Sequence, residues 1–555
     1  MDVILEGKGR VIIRQNDHIA TGGEGVIYKS GNLVIKIYHD INKVAWNDIQ
    51  GKIDFFRIHQ NSYIISPLGN VTDAKGKIIG FYMPLAEGEP LVRYFTNDYR
   101  KQIGFNDDVS LVNKIRDIVV YAHGNGAIML DANELGYMVK YTEPRVLDVD
   151  SWIINNKIPP TVAIMPSIRD WHTKGFNQSS DWFAWGIVTF QLFTGIHPYK
   201  GTLDGYKLGE LERRMKDNAS VFSKNIKLNR SVRDFGNIPN PLLDWYVKTF
   251  SSNDRSIPPS PTDKGVSTTG YARTLYSSIT QTGSVILEKL LDIAGIIRVF
   301  PCGVVLHKDG SLIDLNTKRV LAVCSDACNL IKTVNGWLLY DGKFYYLTLS
   351  NKIELNIAIK PNHVIAYENR MFLVNGSKLT EIVLTDLGNK QLLGLGQSWN
   401  IMEYSTKWFD GIGIQDVLGS IYLTLPFSDK SCANIRVKEL DGIVPISAIA
   451  GHRFVTILGM NRAGDYIKSE LYLSDDYSSY KYWSAITDNP DLNISILPKG
   501  VCAIIVKDGE ITIFVPSNGN INKVVDKQLI GIELYRWDNM VVGLLDEKVW
   551  KVSVK

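Results

Sequence analysis

Three glycines and one isolated lysine form the first group of residues in this sequence with clear chemical potential. Gly22, Gly23 and Gly25 lie in ATGGEGVIY between two predicted strands, and Lys36 follows inside the apolar run LVIKIY. Glycines let backbone N–H groups approach a phosphate closely, and a lysine on a strand of the same sheet reaches it as a point charge. The segment predicts a phosphate site, although an ordinary tight turn with a surface lysine has the same pattern.

Three aspartates further along the chain supply the groups that such a site still needs. Asp131 lies in GAIMLDANELGYMV, in a predicted loop before an apolar strand, and Asp148 and Asp150 follow another apolar run in RVLDVDSWII. Phosphoryl transfer requires a phosphate cradle, metal ligands and a base for the attacking hydroxyl. Two loops ending in carboxylates provide the ligands and the base. The alternative interpretation is that Asp131 and Asp148 only cap their loops.

The predicted elements that must position these residues fall into two groups, one of strands and one of helices. Short β-rich runs occupy the first 84 residues, and helical periodicity dominates afterwards, as in LVNKIRDIVVYAHG. The stretch SDWFAWGIVTFQLFTG is apolar on nearly every face, which predicts a helix in the middle of a domain. The order indicates a small β-rich lobe followed by a larger helical lobe.

This order of motifs resembles the protein kinases. GGEGVIY with VIKIY resembles their glycine-rich loop and lysine-bearing strand, and GFYMPLAEG resembles their hinge. SDWFAWGIVTFQLFTGIHPYKG, with Asp181 near its start, resembles the central helix of the large lobe, and NDRSIPPSP resembles the closing element. The resemblance covers residues 10–262. The motif DVDS in place of Asp-Phe-Gly is similar to divergent bacterial and phage members of the family.

The resemblance implies ATP and Mg²⁺ as cofactors and gives each candidate residue a role. Lys36 pairs with the α- and β-phosphates, and the backbone of the three glycines covers them. Asp131 is the base for the substrate hydroxyl. Asp148 holds Mg²⁺, and Asp150 assists it or caps the next turn.

Several positions of the Asp131 loop and the glycine turn depart from the family pattern. Ala20 replaces the first glycine, Met129 and Leu130 replace the His-Arg pair, and Gly136 replaces the metal-binding asparagine. Asn133 is the candidate substitute for that asparagine. Because glycine has no side chain to hold a metal ion, these departures leave the catalytic activity open.

Two further departures concern ion pairs. The helix NKVAWNDIQGKIDFFRIHQN contains no glutamate to pair with Lys36, and Asp48 or Asp54 reaches it only if the helix shifts inward. Met165-Pro166-Ser167 replaces the Ala-Pro-Glu element, without the acid that anchors an arginine such as Arg255.

Residues 286–555 have a different pattern, in which β-branched and aromatic runs alternate with the hairpin signals HKDG, YDGK, VNGS and VKDG. About seven such units fit between residues 298 and 555, which favours a β-propeller. Six or eight blades, or another β array, remain alternatives. Residues 263–285 are rich in Ser, Thr and Gly and are expected to form a linker or strap.

The composition excludes several classes of protein. The chain has 555 residues, of which 45% are hydrophobic and 21% charged, so a fibrous or disordered protein does not fit. A formal net charge of +3 argues against a dedicated nucleic-acid surface. Charges interrupt both the start, MDVILEGKGR, and the apolar segment 284–300, so we expect no export signal and no membrane span.

We therefore expect a multidomain chain. Residues 1–262 form an α+β bilobal protein kinase-like fold, with an N-lobe at 1–84 and a C-lobe at 85–262, and an all-β propeller follows at 286–555. The first hypothesis is a Ser/Thr-type kinase that uses Mg-ATP and binds a protein substrate or partner through the propeller. The second is a pseudokinase–propeller fusion with a structural role, for example in a phage virion or another large assembly. The expected location is the cytoplasm, with the virion as the alternative.

Overall fold

The computed structural model describes residues 1–158, 164–265, 282–388, 390–426 and 431–554. An N-terminal mixed α/β region extends to residue 265, and a C-terminal all-β region begins at residue 282. Most of the strap predicted at 263–285 lies outside the described residues. None of the described helices is long and apolar enough to cross a membrane.

The N-terminal region is built on a seven-stranded antiparallel sheet with the strand order β2-β1-β6-β7-β5-β4-β3. Its strands are β1 (Asp2–Leu5), β2 (Gly9–Ile12), β3 (His18–Thr21), β4 (Gly25–Ser30), β5 (Leu33–Tyr38), β6 (Gly69–Thr72) and β7 (Ile78–Pro84). A smaller sheet follows, with the order β10-β9-β8, from β8 (Glu89–Pro90), β9 (Tyr137–Lys140) and β10 (Glu143–Val146).

Seven α-helices lie in the described part of the N-terminal region. They are α1 (Asn42–Trp46), α2 (Ile49–Ile58), α3 (Asn97–Ile103), α4 (Asp108–Gly124), α5 (Gln178–Thr194), α6 (Leu211–Lys216) and α7 (Asn240–Ser252). Helix α5 begins where the Asn177 side chain accepts hydrogen bonds from two backbone N–H groups, and every residue from Asp181 to Thr194 is buried. The predicted central helix is confirmed, because an all-round apolar helix is stable only inside a core.

The C-terminal region contains seven four-stranded antiparallel sheets among its described residues. Six are formed by consecutive strands: β12–β15 (Ile296–Phe300, Val304–His307, Ser311–Asp314, Val320–Val323), β16–β19 (Asn329–Lys332, Trp337–Tyr340, Phe344–Leu347, Lys352–Leu355), β20–β23 (His363–Tyr367, Arg370–Asn375, Lys378–Asp386, Gln391–Asn400), β24–β27 (Thr406–Phe409, Ile412–Val417, Ser420–Pro426, Cys432–Arg436), β28–β31 (Val444–Gly451, Phe454–Met460, Tyr466–Leu473, Tyr480–Thr487) and β32–β35 (Ile494–Ile496, Cys502–Lys507, Glu510–Val515, Asn520–Val525).

The seventh sheet joins the two ends of the C-terminal region. It consists of β11 (Val285–Leu291), β36 (Glu533–Trp537), β37 (Met540–Leu545) and β38 (Lys548–Val554), with Val285 opposite Val554. The four hairpin turns predicted from sequence each separate two paired strands, namely β13–β14, β17–β18, β21–β22 and β33–β34. The all-β character predicted for this region is confirmed.

The two regions share one hydrophobic core. The large cluster around α4, α5 and α7 also contains residues from the C-terminal region, namely Ile446, Leu458, Met460, Tyr466 and Leu492. Hydrogen bonds border this contact, from the Asn97 N–H to Asp491 (2.7 Å) and from the Gly201 N–H to Asp488 (3.0 Å). Each fully buried apolar side chain contributes about 1.5–3 kcal/mol, so the shared core holds the regions together.

Candidate functional site

Lys36 lies at the centre of a group of carboxylates. It is on β5, between β4 and β7, and only 6% of the residue is exposed. Its Nζ is 2.7 Å from Asp150 Oδ2, 3.8 Å from Asp148 Oδ1 and 3.9 Å from Glu24 Oε2. Burial lowers the pKa of Lys36, but the three carboxylates raise it more, so the net shift is upward and the ammonium stays charged. We call these four residues the Lys36 cluster.

Asp150 is the closest partner of Lys36 in this cluster. Its side chain is 1% exposed, and Oδ2 accepts hydrogen bonds from Lys36 Nζ (2.7 Å) and Tyr38 Oη (2.6 Å). Burial raises the pKa of Asp150, while Lys36 and Tyr38 lower it, and the net shift is downward. Oδ1 is buried and has no hydrogen-bond partner among the described residues, which leaves one acceptor for a cation or a donor.

Asp148 is the accessible carboxylate of the cluster, with 62% of its side chain exposed. Asp148 lies two residues after the end of β10, and its backbone adopts a left-handed conformation, with φ 56° and ψ 34°. Its carbonyl accepts hydrogen bonds from the N–H and Oγ of Ser151, which stabilise this turn. The structure thus brings Asp148 and Asp150, both candidate metal ligands from the sequence, next to Lys36.

Helix α2 carries a buried lysine, Lys52, which the sequence interpretation missed. Asp48 pairs with Lys157 at 2.8 Å and Asp54 interacts with neighbours on its own helix, so neither supplies the partner considered for Lys36. Lys52, 3% exposed, instead donates hydrogen bonds to the carbonyls of Asn47 (2.6 Å) and Asp150. Burial lowers the pKa of Lys52 to about 8. A lysine at the apolar spacing of Ile49, Ile53 and Phe56 was the available signal.

The three glycines of the turn have different structural roles. The Gly22 N–H donates to the Gly25 carbonyl at 2.9 Å, which closes the turn. A Cβ on Gly25 would overlap the Ile37 carbonyl, so glycine is required there by strand packing. Gly23 has only the guanidinium of Arg462 near its Cβ position, at 4.0 Å. Glu24 extends from the turn and pairs with Lys43 at 2.5 Å as well as with Lys36.

The loop that carries Asp131 is held by the first turn of α5. Asp181, buried, accepts hydrogen bonds from the N–H groups of Met129 (2.7 Å) and Leu130 (3.0 Å), and His123 Nε2 lies 2.9 Å away. Leu130 has a positive φ of 67°, a conformation that a leucine adopts only where its surroundings enforce it. The bonds to Asp181 provide that enforcement.

Asp131 itself is partly buried and accepts a hydrogen bond from the Met165 N–H at 2.9 Å. Burial raises the pKa of Asp131 to about 6, with a further contribution from the charge of Asp148. Asn133, considered as a substitute metal ligand, uses its side chain inside the loop: Nδ2 donates to the Asp131 carbonyl and Oδ1 accepts from the Leu135 N–H.

The acid expected to anchor Arg255 is present at another position. Asp170, three residues after Ser167, accepts from Nε and Nη2 of Arg255 at 2.6 Å and 2.8 Å. Burial raises the pKa of Asp170, but Arg255 and Thr173 lower it more, so the carboxylate stays ionised. The expectation that this anchor is missing is wrong, because the acid that binds Arg255 is Asp170 and not the residue at the family position, Ser167.

An apolar wall adjoins the Lys36 cluster on the same sheet. Val34, Phe81 and Met83 form a buried group, against which Ile27 and Leu147 pack. Apolar side chains beside a few convergent charged groups are typical of sites that hold a small molecule.

Asp148 and Asp150 offer the carboxylate oxygens that Mg²⁺ prefers as ligands. No three His, Cys, Asp or Glu side chains within the described ranges are grouped as a metal-binding cage. Mg²⁺ in nucleotide sites is commonly held by one or two carboxylates together with the phosphates. The exposed carboxylate of Asp148 and the unpartnered Oδ1 of Asp150 fit that mode.

No protein-family model matches the chain, and no curated protein matches it.

Proposed function

We propose that the N-terminal region has a divergent protein kinase-like fold and transfers phosphate from Mg-ATP to a protein hydroxyl. The observation that carries this proposal is the Lys36 cluster, in which a lysine on the inner strand β5 pairs with both aspartates that follow β10. The Asp131 loop, tied to the buried helix α5 by Asp181, gives independent support.

In this proposal each residue has a defined task. Lys36 and the glycine turn hold the phosphates, and the apolar wall receives the base. Asp148 and Oδ1 of Asp150 would hold Mg²⁺, which when bound neutralises phosphate charge. Asp131 accepts the proton of the attacking hydroxyl. With a pKa of about 6, Asp131 is ionised at neutral pH yet basic enough to take a proton.

A pseudokinase with a structural role is the second candidate, and a specific observation favours it. The Asp131 carboxylate is already occupied by the Met165 N–H, and Asp150 Oδ2 is occupied by Lys36 and Tyr38. These hydrogen bonds hold the Asp131 and Asp150 loops in place when no substrate is bound. In this case the shared core with the C-terminal region would serve assembly within a larger complex.

For the C-terminal region we propose a seven-bladed β-propeller that binds a protein partner or substrate. Its support is the seventh sheet, which combines the first and last strands, and the contacts between edge strands of successive sheets, such as β16 with β20 and β32 with β36. Propellers usually act in binding, so this role rests on the analogy of fold.

The test of activity is transfer of labelled phosphate. Full-length protein is incubated with γ-labelled Mg-ATP and a panel of acceptor proteins, alongside Asp131→Asn, Asp148→Asn and the exposed control Asp204→Asn. We expect labelling in the wild type and in Asp204→Asn, with a loss of at least 100-fold in the other two. Full-strength labelling in Asp131→Asn and Asp148→Asn would indicate a contaminant. No transfer combined with ATP binding would favour the pseudokinase.

A further inference from the structure

A tight hairpin between β29 and β30 reaches from the C-terminal region towards the Lys36 cluster. Its turn is braced by Asn461, whose Oδ1 accepts from the N–H groups of Ala463 and Asp465, both at 2.9 Å. The Asn461 N–H also donates to the Asp465 carbonyl at 3.0 Å. These bonds within the turn make its tip, Arg462, a residue on a rigid support.

The hairpin is fixed against the segment that contacts Asp131. Gly464 packs so closely on Ser167 that a Cβ would overlap the Ser167 side chain, and Met165 Sδ lies 3.6 Å from the same position. The Gly464 carbonyl accepts a hydrogen bond from the buried Lys200 Nζ at 3.2 Å. The hairpin therefore has a defined position relative to the Asp131 loop.

Arg462 ends beside the glycine turn without a partner. Its guanidinium Cζ and Nη1 are 4.0 Å from the Cβ position of Gly23. It is exposed and forms no hydrogen bond or ion pair with the residues that the structure describes. The N–H groups of Gly23 and Glu24 likewise donate to no described acceptor. Glu24, the acid of the turn, is engaged by Lys43 and Lys36 instead.

This arrangement places a planar cation and two free backbone donors around one small turn. Anions with several oxygens match that set, because a guanidinium donates two parallel hydrogen bonds and backbone N–H groups add more. A side chain at position 23 would come into contact with the guanidinium, so the glycine keeps the backbone of the turn accessible beside it.

We propose that Arg462 is a phosphate ligand of the nucleotide site, supplied to it by the C-terminal region. The inference rests on the proposed binding of ATP and names an additional residue of that site. The site is then complete only when the two regions are docked, because the guanidinium and the glycine turn come from different regions.

The test is a comparison of nucleotide and nucleoside affinities by isothermal titration calorimetry. Full-length wild type, Arg462→Ala, Arg462→Lys and the control Arg319→Ala are titrated with Mg-ATP and with adenosine. Arg319 is an exposed arginine in the connection between β14 and β15. We expect Arg462→Ala to weaken Mg-ATP binding about tenfold, because a charge-assisted hydrogen bond to phosphate is lost. Adenosine binding should be unchanged, because adenosine has no phosphate. Arg462→Lys should lie between, and Arg319→Ala should match the wild type.

The possible outcomes separate this inference from the proposed function. Wild-type affinity for Mg-ATP in Arg462→Ala would overturn the role of Arg462 while nucleotide binding stands. An equal loss for ATP and adenosine would also overturn it, because the residue would then act on the fold and not on phosphate. If the wild type binds no Mg-ATP, the proposed function fails and the Arg462 inference fails with it. The melting temperature without ligand shows whether each variant is folded.

Discussion

Burial shifts the ionisation of two groups near the Lys36 cluster in opposite directions. It raises the pKa of Asp131 to about 6 and lowers the pKa of Lys52 to about 8, since a low-polarity environment disfavours either charged form. Asp150, more deeply buried than Asp131, stays ionised because Lys36 and Tyr38 stabilise its charge. Burial therefore favours the neutral form only where neighbouring groups stabilise the charged form too little.

Replacing Asp131 by asparagine should stabilise the protein above pH 6. The folded state prefers the protonated acid, so stability present below pH 3.8 is lost as the pH rises through the folded pKa of about 6. Asparagine carries no charge and still accepts the Met165 N–H. We expect Asp131→Asn to gain on the order of 1–3 kcal/mol at pH 7.5 and clearly less at pH 4.5. Thermal unfolding at both pH values measures this.

The matched control for that experiment is Asp204→Asn, at an exposed aspartate in the same region. It should leave the melting temperature unchanged at both pH values. A gain in Asp131→Asn that is the same at pH 4.5 and 7.5 would contradict the assigned cause, because it would not follow the titration of the carboxyl.

At the scale of elements, the helices and hairpins that depend on neighbouring residues were predictable from the sequence. Helices α4 and α5 follow apolar periodicity and their capping residues, and the hairpins follow Asp-Gly and Asn-Gly turns. These signals are local in the chain, and the structure confirms the elements that they indicate.

Contacts between distant elements were not predictable in the same way. Lys36 and Asp150 are 114 positions apart, and Arg255 and Asp170 are 85 apart. The sequence grouped Lys36, Asp148 and Asp150 by the chemistry of their side chains and by a resemblance, and it offered no acid as the partner of Arg255. Lys52 could have been found from its place in the apolar spacing of α2, whereas no local pattern distinguishes Arg462 from a surface residue.

Removing the anchor between the Asp170 segment and the end of α7 should be costly. Asp170→Ala leaves the Arg255 guanidinium without its carboxylate partner, and breaking such a buried pair costs about 3–5 kcal/mol. Urea unfolding of the full-length protein measures the loss, with Asp204→Ala as the exposed control. The single variant Arg255→Ala and the double variant with both substitutions complete a double-mutant cycle.

The double variant distinguishes an ion pair from two independent effects. If the pair carries the cost, the double variant is much less destabilised than the sum of the single variants. Additive losses would instead mean that Asp170 acts through its bonds to His172 and Thr173 alone.

At the scale of the whole molecule, the shared core makes the two regions one cooperative unit. Leu458 and Met460 of β29 are buried in the same cluster as α5, so neither region keeps a complete core when the other unfolds. Regions connected in this way unfold together instead of in separate steps. The position of Arg462 beside the glycine turn depends on the same interface.

Truncating one interface residue should therefore destabilise both regions. Leu458→Ala removes a fully buried side chain and costs about 2–5 kcal/mol. Hydrogen exchange read by mass spectrometry should show equal losses of protection in peptides of α5 and of β29, with a single calorimetric transition. Leu339→Ala, buried in a separate core of the C-terminal region, is the comparison. Loss confined to β29 in Leu458→Ala would show that the regions unfold independently.

The seventh sheet has a consequence for how the chain is made. Strand β11 is the first strand of its region to be synthesised, and its partner β38 is the last strand of that region. During translation β11 has no partner until β38 has been made, and a contact of such long sequence range forms slowly. The nascent C-terminal region therefore exposes an unpaired strand until all of its described sheets have been synthesised.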